Sequence, residues 1–133
     1  MIDSKEGILM YQKMNSDGIN PQTQKIIISA VNQIFEIERK LKQKGDPSNI
    51  NRNIGKLRDI FSEAGYIYEN PLGQPCDETR TDLDATISGS DINNLVVVEV
   101  IKPIIRFVVC DNHGKFSTII QKGIVVVEAR KES

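Results

Sequence analysis

The sequence predicts an α+β fold, in which an N-terminal amphipathic helical hairpin forms a dimeric four-helix bundle and a small, mostly antiparallel β-domain follows. Three observations predict this fold. Apolar residues recur at spacings of three and four between residues 20 and 65. Runs rich in valine and isoleucine follow residue 66. A turn-forming segment, Gly-Gln-Pro-Cys-Asp-Glu at residues 73–78, separates the helical half from the valine-rich strands.

The first helix is predicted to begin at Asn20 and Pro21, because asparagine is a good N-cap and proline is favoured at the first helical position. It should end before Gly45, after a cationic last turn. Residues 1–19 are interpreted as a flexible N-terminal arm, for which a short helix or a docking arm is left open. The apolar stripe of the first helix consists of Ile27, Val31, Ile34, Ile37 and Leu41.

A second amphipathic helix is predicted to follow the turn at residues 46–49 and to end at Gly65. Two consecutive helices joined by a short loop favour an antiparallel hairpin. Because two helices of this size bury little surface alone, we interpret residues 20–65 as a dimerisation region. The second apolar stripe consists of Ile50, Ile54, Leu57, Ile60, Phe61 and Ala64.

Residues 66–133 are predicted to form the β-domain, which would contact a partner. Residues 111–114 are typical of a hairpin turn, and Pro103 should interrupt the longest apolar run, since proline cannot donate to a ladder. Several strands are apolar on both faces, so a strand layer, a helix or a partner must cover one face. The predicted strands are residues 66–69, 83–87, 95–101 and 104–110, with a last run at 116–129.

The composition favours some classes of protein and argues against others. With 133 residues, 39% of them hydrophobic, the chain is long enough for one or two small domains. Its formal net charge of −1 provides no electrostatic attraction to nucleic acid. No apolar run approaches the roughly 20 residues of a membrane span. We therefore expect a cytoplasmic protein that binds neither nucleic acid nor membranes.

No group of residues predicts an enzyme, a metal site or a cofactor. Cys76 and Cys110 lack the spacing of a zinc site and are too few for a disulfide framework. His113 lies beside Asp111 in a predicted turn, where nothing else converges for acid–base chemistry. The acidic residues lack the spacing of a calcium loop, so a solvated face or a contact with a basic partner is the better interpretation. They are Asp77, Glu78, Asp82 and Asp84.

In its order of elements and in local motifs, the chain resembles the GrpE family, the nucleotide exchange factors of DnaK-type chaperones. Asp77 follows Gly65 by twelve residues, as the corresponding aspartate does in the family. Gly73, Pro75 and Asp77 match the family's Gly-Glu-Pro-Phe-Asp-Pro-like turn, while residues 74, 76 and 78 differ. Residues 97–104 resemble one family strand, with one residue fewer and Pro103 in place of a glycine, and residues 123–127 resemble another. The first helix is shorter than in the family.

The resemblance implies a homodimeric co-chaperone that binds the nucleotide-binding domain of a DnaK-type chaperone through its β-domain. The bound protein would open the nucleotide cleft and promote ADP release without covalent chemistry. The alternative is a GrpE-like scaffold or adaptor that binds a protein partner without exchange activity. By aligned position, the partner-binding residues would be Gly73, Pro75, Cys76, Asp77, Glu78, Ile101, Lys102 and Val127. The dimer interface would contain Ile34, Ile37, Leu41, Ile54, Leu57 and Phe61.

Overall fold

The computed structural model describes residues 20–130, so the predicted N-terminal arm at residues 1–19 lies outside the described residues. Within residues 20–130 the chain forms two helices followed by six strands. Helix α1 spans Pro21–Lys44 and helix α2 spans Asn51–Glu63. The strands are β1 (Tyr66–Glu69), β2 (Leu83–Ile87), β3 (Leu95–Lys102), β4 (Ile104–Asp111), β5 (Gly114–Gln121) and β6 (Gly123–Ala129).

Local signals set both ends of α1 where the sequence predicts them, whereas α2 ends at Glu63, two residues before the predicted Gly65. The Asn20 side chain accepts a hydrogen bond of 2.9 Å from the backbone N–H of Gln22 and so caps α1. At the other end, the Gly45 N–H donates to the carbonyl of Leu41. The Asp46 carboxylate then accepts from the N–H groups of Ile50 and Asn51 at 2.6 and 2.8 Å, which caps α2. Neither helix of this part of the chain is long and apolar enough to cross a membrane.

The strands form two three-stranded sheets, with strand orders β1-β4-β5 and β2-β6-β3. All pairs are antiparallel except β2 with β6, which is parallel. The chain passes between the sheets at Pro103 and again at Lys122, so the run at 116–129 forms two strands rather than one. The Gln121 side chain donates to the Pro103 carbonyl at 2.9 Å and thereby joins the two crossing points.

The predicted fold class, a helical hairpin in a four-helix bundle followed by a β-domain, is wrong. Residues 20–130 form two helices and six strands in two sheets, and α1 packs on the strands instead of forming a separate bundle. Its buried residues are Val31, Ile34 and Phe35, and Phe35 belongs to the same buried cluster as residues of β2, β3, β4 and β6. The buried face is therefore rotated towards Phe35, which the predicted stripe omits.

Polar contacts also attach α1 to the strands. Asn32 and Gln121 exchange two amide hydrogen bonds, of 3.0 and 2.9 Å. Arg39 donates to the carbonyl of Val100 at 3.1 Å. Of the predicted dimer-interface residues, Ile34 and Ile54 are buried within one chain, Leu41 and Phe61 are half-buried, and Ile37 and Leu57 are exposed. The homodimer itself stays a prediction.

The buried cluster of the second sheet packs against Phe35 of α1 and Ile104 of β4. Along β6, Gly123, Val125 and Val127 are buried, while the residues between them are half-buried. Gly123 has no room for a side chain, because an added Cβ would lie 2.9 Å from Leu83 Cδ2 and 3.0 Å from Ile104 Cγ1. The second sheet is thus covered on one face by a helix and by β4, as the two-sided apolar strands require.

Candidate functional site

The predicted turn at residues 73–78 lies on the outer edge of β3. The Gly73 N–H donates to the Val97 carbonyl at 2.8 Å, and the Val97 N–H donates to the Gln74 carbonyl at 2.9 Å. The Cys76 N–H donates to the Leu95 carbonyl at 2.9 Å, and Pro75 lies opposite Val96. Because these bonds hold the segment along the strand, the turn is a fixed part of the second sheet.

Residues 77–82, at the end of this turn and after it, are held by side-chain hydrogen bonds. The Asp77 carboxylate accepts from the backbone N–H of Thr79 at 2.8 Å and from its hydroxyl, and these bonds lower the pKa of Asp77. Arg80 donates to the Pro75 carbonyl at 3.2 Å and to Asp82 at 2.8 Å. The hydrogen bond from Arg80 also lowers the pKa of Asp82. Both carboxylates are therefore ionised at neutral pH.

Of the four acidic residues considered as a calcium site, Asp77 and Asp82 thus have hydrogen-bond partners within the protein. Asp82 also accepts from Arg106 at 2.9 Å, and Arg106 in turn donates to Glu69 at 2.8 Å. Asp77 closes its own turn with Thr79. Among residues 20–130, no three histidine, cysteine, aspartate or glutamate side chains lie close enough together to hold a metal ion.

A groove of about 540 Å³ lies on the face of the second sheet that carries Val127, and no residue of α1 or α2 lines it. Residues 75–78 form one wall, and the other side is formed by Ala85 and Ile87 of β2. Two large apolar side chains on the groove are exposed, Ile87 by 45% and Ile92 by 68%. Its lining residues are Pro75, Cys76, Asp77, Glu78, Ala85, Ile87, Ile92, Asn94, Leu95 and Val127.

The structure brings together five of the eight predicted partner-binding residues. Pro75, Cys76, Asp77, Glu78 and Val127 line this groove, where the buried Val127 side chain forms part of the floor.

The other three lie elsewhere. Gly73 is exposed in the turn beside the groove. Ile101 and Lys102 are exposed at the far end of β3, which is roughly 20 Å from Leu95 at about 3.3 Å per residue.

Sequence reasoning missed the opposite side of the groove. Ala85 and Ile87 alternate with the buried Leu83 along β2, so the period of two predicts that all three side chains share one face. That period does not place β2 beside residues 75–78, because the position of the strand depends on its pairing with β6. Ile92 lies in the loop between β2 and β3, and no local pattern marks it.

A second polar cluster joins α1, α2 and β1. Arg58 donates from Nη2 to both oxygens of the Glu38 carboxylate at 2.6 Å and from Nε to the Tyr68 hydroxyl at 3.1 Å. The Tyr68 hydroxyl donates to Glu38, and the Arg58 guanidinium lies 5.1 Å from the centre of the Tyr68 ring. Burial and the hydrogen bond to Glu38 raise the pKa of Tyr68 to about 12. This cluster fixes the position of α2.

Tyr68 should make the stability depend on pH in the alkaline range. Its pKa rises from 10.0 to about 12 on folding, so the stabilisation is fully present below pH 10 and is lost as the pH rises through 12. We expect the advantage of wild type over Tyr68→Phe in free energy of unfolding to shrink across that interval, as measured by urea unfolding. In a pH titration followed by tyrosinate absorbance, the wild-type protein should show an ionisation near pH 12 that the Tyr68→Phe variant lacks. Superimposable titration curves for the two proteins would contradict this assignment.

Comparisons of the chain with protein-family models, curated proteins and solved structures found no match.

Proposed function

We propose that this protein is a GrpE-like co-chaperone that binds the nucleotide-binding domain of a DnaK-type chaperone and promotes ADP release, and that it is not itself an enzyme. One observation supports the proposal above the others. Residues 75–78 align with the family turn, which Pro75 and Asp77 match and Cys76 and Glu78 do not, and Val127 aligns with a separate family strand. All five line a single groove.

The groove has the chemistry of a protein-binding surface. Burial of exposed apolar side chains such as Ile87 and Ile92 against a partner favours binding, because it removes apolar surface from water. The ionised Asp77 and the neighbouring Glu78 add a negative wall that selects and orients a positively charged partner surface. Because hydrogen bonds to β3 hold the wall in place before binding, little conformational entropy is lost on association.

Exchange activity requires no catalytic side chain. A protein that binds the open-cleft state of the chaperone more tightly than the closed state lowers the affinity for ADP by the same coupling factor. A rigid wall beside an apolar floor suits this role, since it fits one partner conformation better than another.

The test is the release of a fluorescent ADP analogue from a DnaK-type chaperone of the same organism, followed by stopped flow. Wild-type protein should accelerate release. The groove variant Glu78→Lys with Ile92→Ser should lower that acceleration at least about tenfold, the effect of about 1.4 kcal/mol in binding. The matched control is Ile26→Ser with Glu63→Lys on the helices, because Ile26 is 66% exposed and Ile92 is 68% exposed.

Each result has a defined meaning. No acceleration by the wild-type protein would overturn the exchange proposal. Binding to the ATPase domain without faster release would support the scaffold or adaptor alternative. Equal loss in the groove variant and the helix control would show that the groove is not the contact site.

A further inference from the structure

The two edges of the second sheet differ in how they are covered. In the order β2-β6-β3, strands β2 and β3 are the edge strands. Residues 73–76 and the Arg39 side chain cover the edge of β3. Within residues 20–130, no backbone hydrogen bond is made to the outer edge of β2. An uncovered edge strand is a template for pairing with another chain.

The alternation of a parallel ladder identifies the backbone groups on this edge. The Asp82 carbonyl accepts from the Gly123 N–H at 2.9 Å, and the Ser88 N–H donates to the Val127 carbonyl at 2.8 Å. In a parallel pair, every second residue bonds to a given neighbour. The even-numbered residues of β2 therefore bond to β6. The N–H and C=O groups of Leu83, Ala85 and Ile87 point away from the sheet.

The two faces of β2 differ in chemistry. Ala85 and Ile87 place their side chains on the groove face, where a neighbouring strand would add apolar side chains next to them. The opposite face carries Asp84 on β2 and Glu128 on β6, which are the only charged residues of these two strands. Both are exposed, and neither forms an ion pair within the described part of the chain.

We propose that the free edge of β2 binds an extended peptide segment of a partner protein, in which apolar and basic side chains alternate. The peptide adds a strand to the sheet by pairing with the backbone groups of Ala85 and Ile87. Its apolar side chains lie over the groove, and its basic side chains lie on the face that carries Asp84 and, one strand further in, Glu128. This inference does not require the exchange function, since strand addition is a separate mode of binding.

The probe is a fluorescein-labelled heptapeptide of alternating lysine and valine, and the readout is fluorescence anisotropy with the full chain. Two control peptides separate the contributions. Alternating glutamate and valine keeps the apolar side chains but reverses the charge. N-methylation of every second residue removes the backbone donors and keeps the side chains. We expect each control to bind at least about tenfold more weakly. Equal binding of all three peptides would overturn the proposal.

Amide hydrogen exchange locates the peptide on the edge. In the free protein, the amides of Ala85 and Ile87 should exchange quickly, whereas those of Asp84 and Thr86 should be protected by β6. Adding the lysine–valine peptide should slow exchange at Ala85 and Ile87 only. Binding without this change would place the peptide elsewhere and refute strand addition.

Two variants test the edge by different means. Ala85→Pro removes an outward N–H that makes no bond within the sheet. Ile87→Lys leaves the backbone unchanged but replaces an apolar side chain at the groove with a positively charged one. Each should weaken peptide binding at least about tenfold. Val98→Lys on β3 is the matched control for Ile87→Lys, because Val98 is 42% exposed and Ile87 is 45% exposed.

Sedimentation of the protein without peptide tests a second copy as the occupant. If Ile87→Lys converts a dimer to a monomer, the β2 edge pairs with another copy of this chain, and the peptide proposal is wrong. Peptide binding that survives in a variant without exchange activity, or the reverse, would separate this proposal from the proposed function.

Discussion

Replacing Phe35 with alanine is expected to lower the free energy of unfolding by about 3–5 kcal/mol. The Phe35 side chain is only 4% exposed and lies in one buried cluster with Leu83, Val97 and Ile104. It is the α1 residue in that cluster, so its truncation leaves a cavity between the helix and the second sheet. The strands cannot collapse into that space without breaking their ladders.

Urea unfolding measures this effect, and Ile26→Ala is the control on the same helix. Ile26 is exposed, so its truncation should change the free energy of unfolding by less than about 0.5 kcal/mol. The slope of the free energy of unfolding against urea concentration should remain similar, since the surface exposed on unfolding changes little. A Phe35 variant as stable as the Ile26 variant would show that α1 does not pack on the sheet.

Replacing Gly65 with alanine is expected to cost about 2–5 kcal/mol, the sum of a left-handed backbone and an overpacked contact. Gly65 has a φ of +96°. An added Cβ would lie 2.8 Å from the Val108 carbonyl oxygen and 3.0 Å from Phe107 Cε2. The Gly65 carbonyl also accepts from the Val108 N–H at 2.8 Å, so the backbone cannot move away freely.

Gly45→Ala separates the two contributions. Gly45 has a similar φ of +87°, but no atom lies within 4 Å of its added Cβ. Its substitution should therefore cost only the backbone part, about 1–2 kcal/mol. Thermal or urea unfolding of both variants gives the difference directly. Equal losses would mean that the close approach to β4 contributes nothing.

Local sequence was sufficient to locate the helices and strands. Asn20 and Gly45 mark the two ends of α1, because their side-chain and backbone preferences act within a few residues. Pro103 and the turn at residues 111–114 also act locally and separate strands where predicted. One boundary was missed. The division at Lys122 reflects a change of sheet, and such a change has no local signal.

The candidate site was predictable on one side only. The turn at residues 75–78 has a distinctive composition, so its residues were identified before their surroundings were known. The opposite side contains Ile87, which comes to the groove through the parallel pairing of β2 with β6, and Ile92 of the loop that follows β2. That pairing joins residues about 40 positions apart in the chain, whereas period and propensity report only on neighbours.

Caps, turns, the ends of α1 and most strand positions thus followed from the amino-acid sequence alone, since each depends on contacts within a few residues. Tertiary structure decided which face of α1 is buried: Phe35 lies in the cluster over the second sheet, whereas Ile37 of the predicted stripe stays exposed. It also decided the partition of the strands into two sheets, the parallel β2–β6 pair and the edge of β2 that residues 20–130 leave uncovered. These features depend on packing between segments that are distant in the sequence, and local patterns carry no information about such contacts.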